Sequence, residues 1–307
     1  MRALVITNMY PSAGDPARGS FVHDQVEALR RLPGLEVELF TFGRGGPGAY
    51  LEAGRGLRRR FRGERFDVVH AHFGLTIWPS LALRGAAHAV TLHGTDLVHP
   101  RSRAITLAGL PFVDLVAPVS GELARLVPRR LVRGRLEILP TGVSLKRFRP
   151  IDRADARREL GLDPAGRYLL FPADPSRPEK RHDRGLAVAG DLPLLHLGAV
   201  EPRRVPLWVN AADAVLIPSE RESFGLAVLE ALACNVPVLA TPVGIAPEAL
   251  RDVPGTHCGP FDLGAWTTAL ARVLEADDPR VTGREVADRY SDIRMAERVA
   301  LAWRAIG

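Results

Sequence analysis

The stretch Ala214-Val215-Leu216-Ile217-Pro218-Ser219-Glu220-Arg221-Glu222-Ser223-Phe224-Gly225-Leu226-Ala227-Val228-Leu229-Glu230-Ala231-Leu232-Ala233-Cys234-Asn235-Val236-Pro237-Val238-Leu239-Ala240-Thr241 decides the fold. Its two ends are short, β-rich apolar runs of strand length, at 214–217 and 238–241. Between them lies a polar loop, then an apolar helix running through Ala233 that Ser223 is placed to cap, then a turn at Asn235 and Pro237. A strand, a helix and a strand in that order pair in parallel, because the crossover helix returns the chain to the same edge. The apolar run 224–244 is long, but Glu230, Asn235, Pro237 and Pro242 interrupt it, so it is not a membrane span.

The same rhythm continues outward. Strands are expected at 3–7, 36–42, 67–70, 89–92, 115–119 and 136–139, and again at 168–171, 194–197, 214–217 and 238–241, with helical patterns between them. This is α/β architecture: two doubly wound, Rossmann-like domains facing across a cleft. Pro140-Thr141-Gly142 and Arg149-Pro150 punctuate the change of domain, giving an N-terminal domain at 1–145 and a C-terminal one at 146–290. The tail 291–307 is helical by pattern, with Met295, Val299 and Trp303 on one stripe, and is expected to cross back to the N-terminal domain.

Composition agrees with this size. The 307 residues suffice for about two domains at ~150 residues each, and 46% hydrophobic with 25% charged residues excludes disorder. Lysine plus arginine exceed acidic residues by 41 − 35 = +6, which favours anionic partners without choosing among phosphates, acidic membranes and nucleic acid. Cys234 and Cys258 are too few for a disulfide framework and lack CxxC spacing, so a cytoplasmic setting is expected. The N-terminus enters an apolar run at once, without a cleavage-site pattern.

Two glutamates, Glu222 and Glu230, stand eight residues apart in the opening stretch. On one helix they would be ~12 Å apart along the axis and ~80° around it. Carboxylates that share one glycosidic centre sit ~5–9.5 Å apart, so these two are spaced to hold different ends of a long ligand, with a plain salt bridge at Glu230 as the alternative. The backbone N–H groups of Phe224, Gly225 and Leu226, at the expected helix start, form an anion site suited to a diphosphate. Arg177 and Lys180 follow the first strand of the second domain and can neutralise such a group; a solvated basic turn beside Arg181 and Arg184 is the plain alternative. Gly19 opens a helix at 20–32 whose stripe is Phe21, Val22, Val26 and Leu29, and either admits a ligand close to the backbone or simply makes a turn.

The segment from Pro218 to Ala231, with seven residues between its two glutamates, resembles the retaining glycosyltransferases of family 4, which have the GT-B fold. The likeness recurs in Gly19-Ser20-Phe21-Val22 with Gln25, in Phe66-Asp67-Val68-Val69-His70-Ala71-His72, in His93-Gly94-Thr95-Asp96, in Pro140-Thr141-Gly142-Val143 and in Arg177-Pro178-Glu179-Lys180-Arg181. It implies transfer of a sugar from a nucleoside-diphosphate sugar, with a uridine diphosphate sugar the commonest donor, and with retention at the anomeric carbon. It also implies that the nucleotide sugar is a substrate and that no metal or other cofactor is used. Glu222 would then bind sugar hydroxyls, Glu230 the ribose, Ser223 to Leu226 the diphosphate, and Arg177 and Lys180 its charge. His93 would orient the donor sugar, Gly19 would lie on the donor side, and His72 on the acceptor side. The family's arginine five residues before the lysine is absent, since Pro175 stands there, so Arg177 would have to substitute.

The acceptor is a carbohydrate, a lipid-linked molecule or a small molecule. Arg55, Arg58, Arg59, Arg60, Arg62 and Arg65, with Leu57 and Phe61 between them, form either a peripheral contact with an anionic membrane or a solvated basic face. A nucleotide-sugar epimerase on the same fold is an alternative; a phosphorylase is disfavoured because Lys146 and Lys180 are the chain's only lysines and neither sits in a pyridoxal phosphate motif. A non-enzymatic anion- or nucleic-acid-binding protein is the other class, but aromatic residues are 6% of the chain and the arginines are scattered, so no nucleic-acid partner is expected. No carboxylate pair of the DxD type follows a strand, the pair Asp277-Asp278 lies in a proline-containing turn, and His70 and His72 show no third ligand.

Overall fold

The structure, a computed structural model, describes residues 1–12, 14–198, 200–276 and 278–307; Asp277 thus lies outside the described residues. The chain divides into two compact units, one of residues 1–142 with 292–307 and one of residues 143–291.

The first unit is built on a parallel sheet of β1 (Arg2–Thr7), β2 (Glu36–Thr41), β3 (Val68–His72), β4 (Ala87–Leu92), β5 (Leu115–Pro118) and β6 (Arg135–Leu136), in the order β2-β1-β3-β4-β5-β6. Ala3, Leu4, Val5 and Ile6 are all fully buried, as a parallel strand covered on both faces requires. Alternate residues serve opposite faces. Ala3 and Val5 join Val22, Val26 and Leu29 of the helix Ser20–Arg30, and Met295, Val299 and Trp303 of the helix Asp292–Arg304, in one core. Leu4 and Ile6 point the other way, to Leu57, Phe61 and Phe66. The C-terminal helix is therefore part of this unit's core, and Asp292 at its start pairs with Arg31 at 2.7 Å.

The second unit has its own parallel sheet, β7 (Leu169–Phe171), β8 (Leu194–His196), β9 (Ala214–Ile217), β10 (Val238–Ala240) and β11 (His257–Cys258), in the order β11-β10-β9-β7-β8. Leu169, Ala214, Leu216 and Leu239 pack on Trp266, Leu270 and Val273 of the helix Leu263–Glu275. Near the amino ends of β7 and β9, buried Asp213 accepts the Tyr168 N–H and an Arg157 N–H, each at 2.8 Å.

Three elements differ from the sequence reading. The helix of the opening stretch spans Leu226–Ala233, so Ser223 does not cap it; Gly225 does, in the left-handed conformation with φ 88°, and contributes no side-chain bond. Phe224 is held outside the helix because its carbonyl accepts the Ile245 N–H at 2.7 Å. The run at 136–139 leaves the paired strand after Leu136, although Glu137 and Leu139 still donate to the carbonyls of Val116 and Pro118. β11 is too short, at two residues, to leave a periodic signal in the sequence.

Candidate active site

In an open parallel sheet, ligands gather beyond the carboxyl ends of the strands where the strand order reverses. In the second unit that point lies between β7 and β9, so the loops after these strands, which carry Lys180 and Glu222, are placed together by topology. In the first unit it lies between β1 and β3, where Thr7 is in register with His72; His72 is in register with Thr91 of β4, two residues before His93.

The second unit brings Lys180 onto Glu222. Lys180 Nζ donates to Oε1 at 2.7 Å and to Oε2 at 2.6 Å, and both side chains are mostly withdrawn from solvent. The carboxylate is fixed from the other side by Ser219, whose hydroxyl donates to Oε1 at 2.8 Å, and Ser219 is anchored in turn by the Thr241 hydroxyl donating to its carbonyl. Under this loop runs Gly244, with φ 61°; a Cβ there would stand 2.4 Å from the Phe224 carbonyl oxygen and 3.0 Å from Glu222 Cβ. Ser219, Thr241 and Gly244 carry no obvious signal in the sequence. Only the position of Thr241 and Gly244 just past a strand end marks them.

Glu222 precedes the helix that carries Glu230, so helical spacing does not fix the distance between them. Ser223, Phe224, Gly225 and Leu226 form the loop and first residue that lead from Glu222 into this helix. Its opening N–H groups lack partners within the helix, which favours a negative charge beside them. Arg177 is not brought to Glu222; its guanidinium is exposed and donates to Glu179 at 2.6 and 3.0 Å. Arg181, with φ 55°, pairs with Asp183 and Glu220, and Arg184 reaches Glu220 at 3.4 Å. The basic turn is thus a paired network of which Lys180 is the inward member.

The first unit gathers three imidazoles. His70 stacks on His72 with centroids 4.9 Å apart, and His72 on His93 at 5.3 Å. His72 Nδ1 lies 3.1 Å from His93 Nε2, so His93 is engaged with a ring nitrogen of His72, a contact the sequence did not show. His70 and His72 are fully buried, and burial lowers the pKa of His72 to about 3 and holds those of His70 and His93 well below the usual range. His93 reaches solvent in part and lies against the Phe21 ring at 4.9 Å; Phe21 is half-buried, not a core residue like Val22. Gly94, at φ 113°, turns the chain after His93, and buried Asp96 locks that turn by accepting the N–H groups of His93, Gly94 and Gly74 at 2.7–3.1 Å. Burial raises the Asp96 pKa, and these same N–H groups draw it back down.

Gly19 begins the helix Ser20–Arg30 at φ 64°, and a Cβ there would stand 2.3 Å from the Met9 carbonyl oxygen. What approaches this glycine is its own chain, which explains the residue without a ligand. In the arginine-rich helix Pro47–Arg60, Leu57 is buried, as is Phe61 just after it, so the apolar residues between the arginines serve the core and not a lipid surface. Arg59 pairs with Glu52 at 2.8 Å. No helix among the described residues is long and apolar enough to cross a membrane, and no group of three His, Cys, Asp or Glu among them is arranged to hold a metal ion.

Comparison with known proteins gives the following. A family model described as Glycosyltransferase Family 4 matches residues 16–147, and one described as Glycosyl transferases group 1 matches residues 194–289. A D-inositol 3-phosphate glycosyltransferase of Pseudarthrobacter chlorophenolicus is 31% identical, over 95% of this chain and 81% of its own length. One of Mycolicibacterium gilvum is 32% identical over 76% of this chain, which spans 64% of that relative's length. Among solved structures, sucrose-phosphate synthase from Thermosynechococcus elongatus aligns with a TM-score of 0.77 at 19% identity, covering 99% of each chain. HepE of Anabaena, in complex with UDP and glucose, aligns with a TM-score of 0.72 at 15% identity, covering 99% of this chain and 100% of that one. These two likenesses concern the fold.

Proposed function

This chain belongs to glycosyltransferase family 4, and on that premise we propose that it moves a sugar from a nucleoside-diphosphate sugar to an acceptor with retention at the anomeric carbon. The observation that carries the proposal is the Lys180–Glu222 pair, set at the strand-order reversal of the second unit and beside the start of an eight-residue helix. Breaking the sugar–phosphate bond leaves a diphosphate with added negative charge. A mostly withdrawn ammonium and a helix start that together face that charge stabilise it more in the transition state than in the ground state. Lys180, the helix N–H groups and Arg177, once it leaves Glu179, do what a divalent cation would do elsewhere, so catalysis proceeds without a metal.

In this reading Ser223, Phe224, Gly225 and Leu226 line the diphosphate, Glu222 accepts hydrogen bonds from sugar hydroxyls, and Glu230 takes the ribose. His93 orients the sugar and His72 lies towards the acceptor. Uridine diphosphate sugars are the first donors to test, a choice supported by HepE, which was captured with UDP. The relatives named for D-inositol 3-phosphate, together with the +6 charge, make an anionic polyol the first acceptor to test. Glu222→Ala is expected to abolish transfer while the free nucleoside diphosphate still binds, measured by product formation and by titration calorimetry. Turnover equal to that of the parent protein would overturn the role of Glu222.

A further inference from the structure

The three imidazoles belong to two hydrogen-bonded runs, Trp303–His70–Thr91 and Gln25–His72–His93, that touch each other only by stacking of His70 on His72. An indole N–H can only donate. Trp303 Nε1 lies 3.0 Å from His70 Nδ1, so that nitrogen accepts, and the His70 proton sits on Nε2, 2.8 Å from the Thr91 hydroxyl. An amide nitrogen likewise only donates. Gln25 Nε2 approaches His72 Nε2 at 3.5 Å, which makes His72 Nε2 the acceptor and leaves its proton on Nδ1. That proton points at His93 Nε2, 3.1 Å away. Each ring carries a single proton at neutral pH, because burial disfavours the imidazolium in all three.

We propose that Gln25 is a positioning residue that acts through His72 to hold His93 as the Nδ1–H tautomer, so that His93 meets its ligand as a hydrogen-bond donor. The inference deepens the proposed function and rests on it for the identity of the ligand, a sugar hydroxyl. It assigns His93 a definite task. With Nε2 occupied by the His72 proton and Nδ1 already protonated, the ring has no basic nitrogen to offer an acceptor hydroxyl, and what it can offer a ligand is the Nδ1 N–H. The helix Ser20–Arg30, whose inner face supplies Gln25, thus decides the chemistry of a residue that follows β4.

The test reads the tautomers directly, without a substrate. In protein labelled with 15N-histidine, long-range proton–nitrogen correlation spectra at neutral pH separate pyrrole-type from pyridine-type nitrogens, with His93→Gln and His72→Gln used for assignment. The expected result is a pyrrole-type Nδ1 and a pyridine-type Nε2 for His93, and the reverse for His70. A pyrrole-type Nε2 on His93 overturns the proposal. Gln25→Met removes the amide donor at similar volume and is expected to shift the two His93 nitrogens toward a common average as both tautomers become populated; unchanged nitrogen shifts in a folded Gln25→Met protein also overturn it. Should that variant fail to fold, the parent spectrum decides alone. A protein with the expected spectrum that transfers no sugar would count against the proposed function and leave the relay standing.

Discussion

At the scale of single residues, the site is held by groups that have exchanged water for one another. Lys180 and Glu222 are mostly withdrawn from solvent, and the pair persists because Ser219 satisfies a remaining position on the carboxylate. The imidazoles make a different bargain: buried and neutral, they stabilise the fold only while they stay unprotonated. Their native pKa values lie below the ordinary 6.5, so the unfolded chain binds more protons between the two values. The stabilisation is complete above about pH 6.5 and is lost as the pH falls toward the native value, about 3 for His72. Between those two values the unfolded chain takes up a proton at His72 that the native ring refuses, which steepens the loss of stability with falling pH. Unfolding free energy measured by denaturant between pH 6.5 and 4 is therefore expected to fall steeply, and His72→Gln to flatten that slope. Equal slopes in the two proteins would remove His72 from the account.

At the scale of elements, one glycine sets how close two loops come. Gly244 combines a left-handed backbone with a Cβ position 2.4 Å from the Phe224 carbonyl oxygen, so Gly244→Ala meets both strain and a backbone clash. It is expected to cost roughly 2–4 kcal/mol, or about 5–15 °C in melting temperature, and to weaken the Glu222 loop along with it. Gly48→Ala is the control: nothing lies within 4 Å of its Cβ position and its backbone is ordinary, so thermal melting should show no loss. The strands were legible in the sequence because parallel strands buried on both faces read as apolar runs, as Ala3 to Ile6 do. The helix cap was misread by two residues, Ser223 for Gly225, since Ser223 has the chemistry of a cap but Gly225 has the conformation the chain needs there. β11 was invisible for want of length.

At the scale of the molecule, each unit completes its core or its site with residues that are distant in sequence, and there pattern reading stops. Lys180 meets Glu222 across 42 positions, and topology alone explains it: the strands before them are neighbours in the sheet. Trp303 meets His70 across 233 positions, and the helical stripe of the tail announces a buried face without saying what it covers. Glu179, one residue before Lys180, takes Arg177 from the place the sequence suggested for it, which no periodicity could have shown. The likeness in motif drew attention to these loops, while the hydrogen bonds that fix them, from Ser219, Thr241 and Asp96, follow only from coordinates.

In the proposed function a nucleoside diphosphate binds where Lys180 meets Glu222. Titration calorimetry of the uridine, guanosine, adenosine and thymidine diphosphates against the parent protein and against Lys180→Ala tests it most directly. At least one diphosphate is expected to bind the parent, and Lys180→Ala to weaken that binding tenfold or more, about 1.4 kcal/mol. An affinity unchanged by the substitution, or a parent protein that binds none of the four, would contradict it.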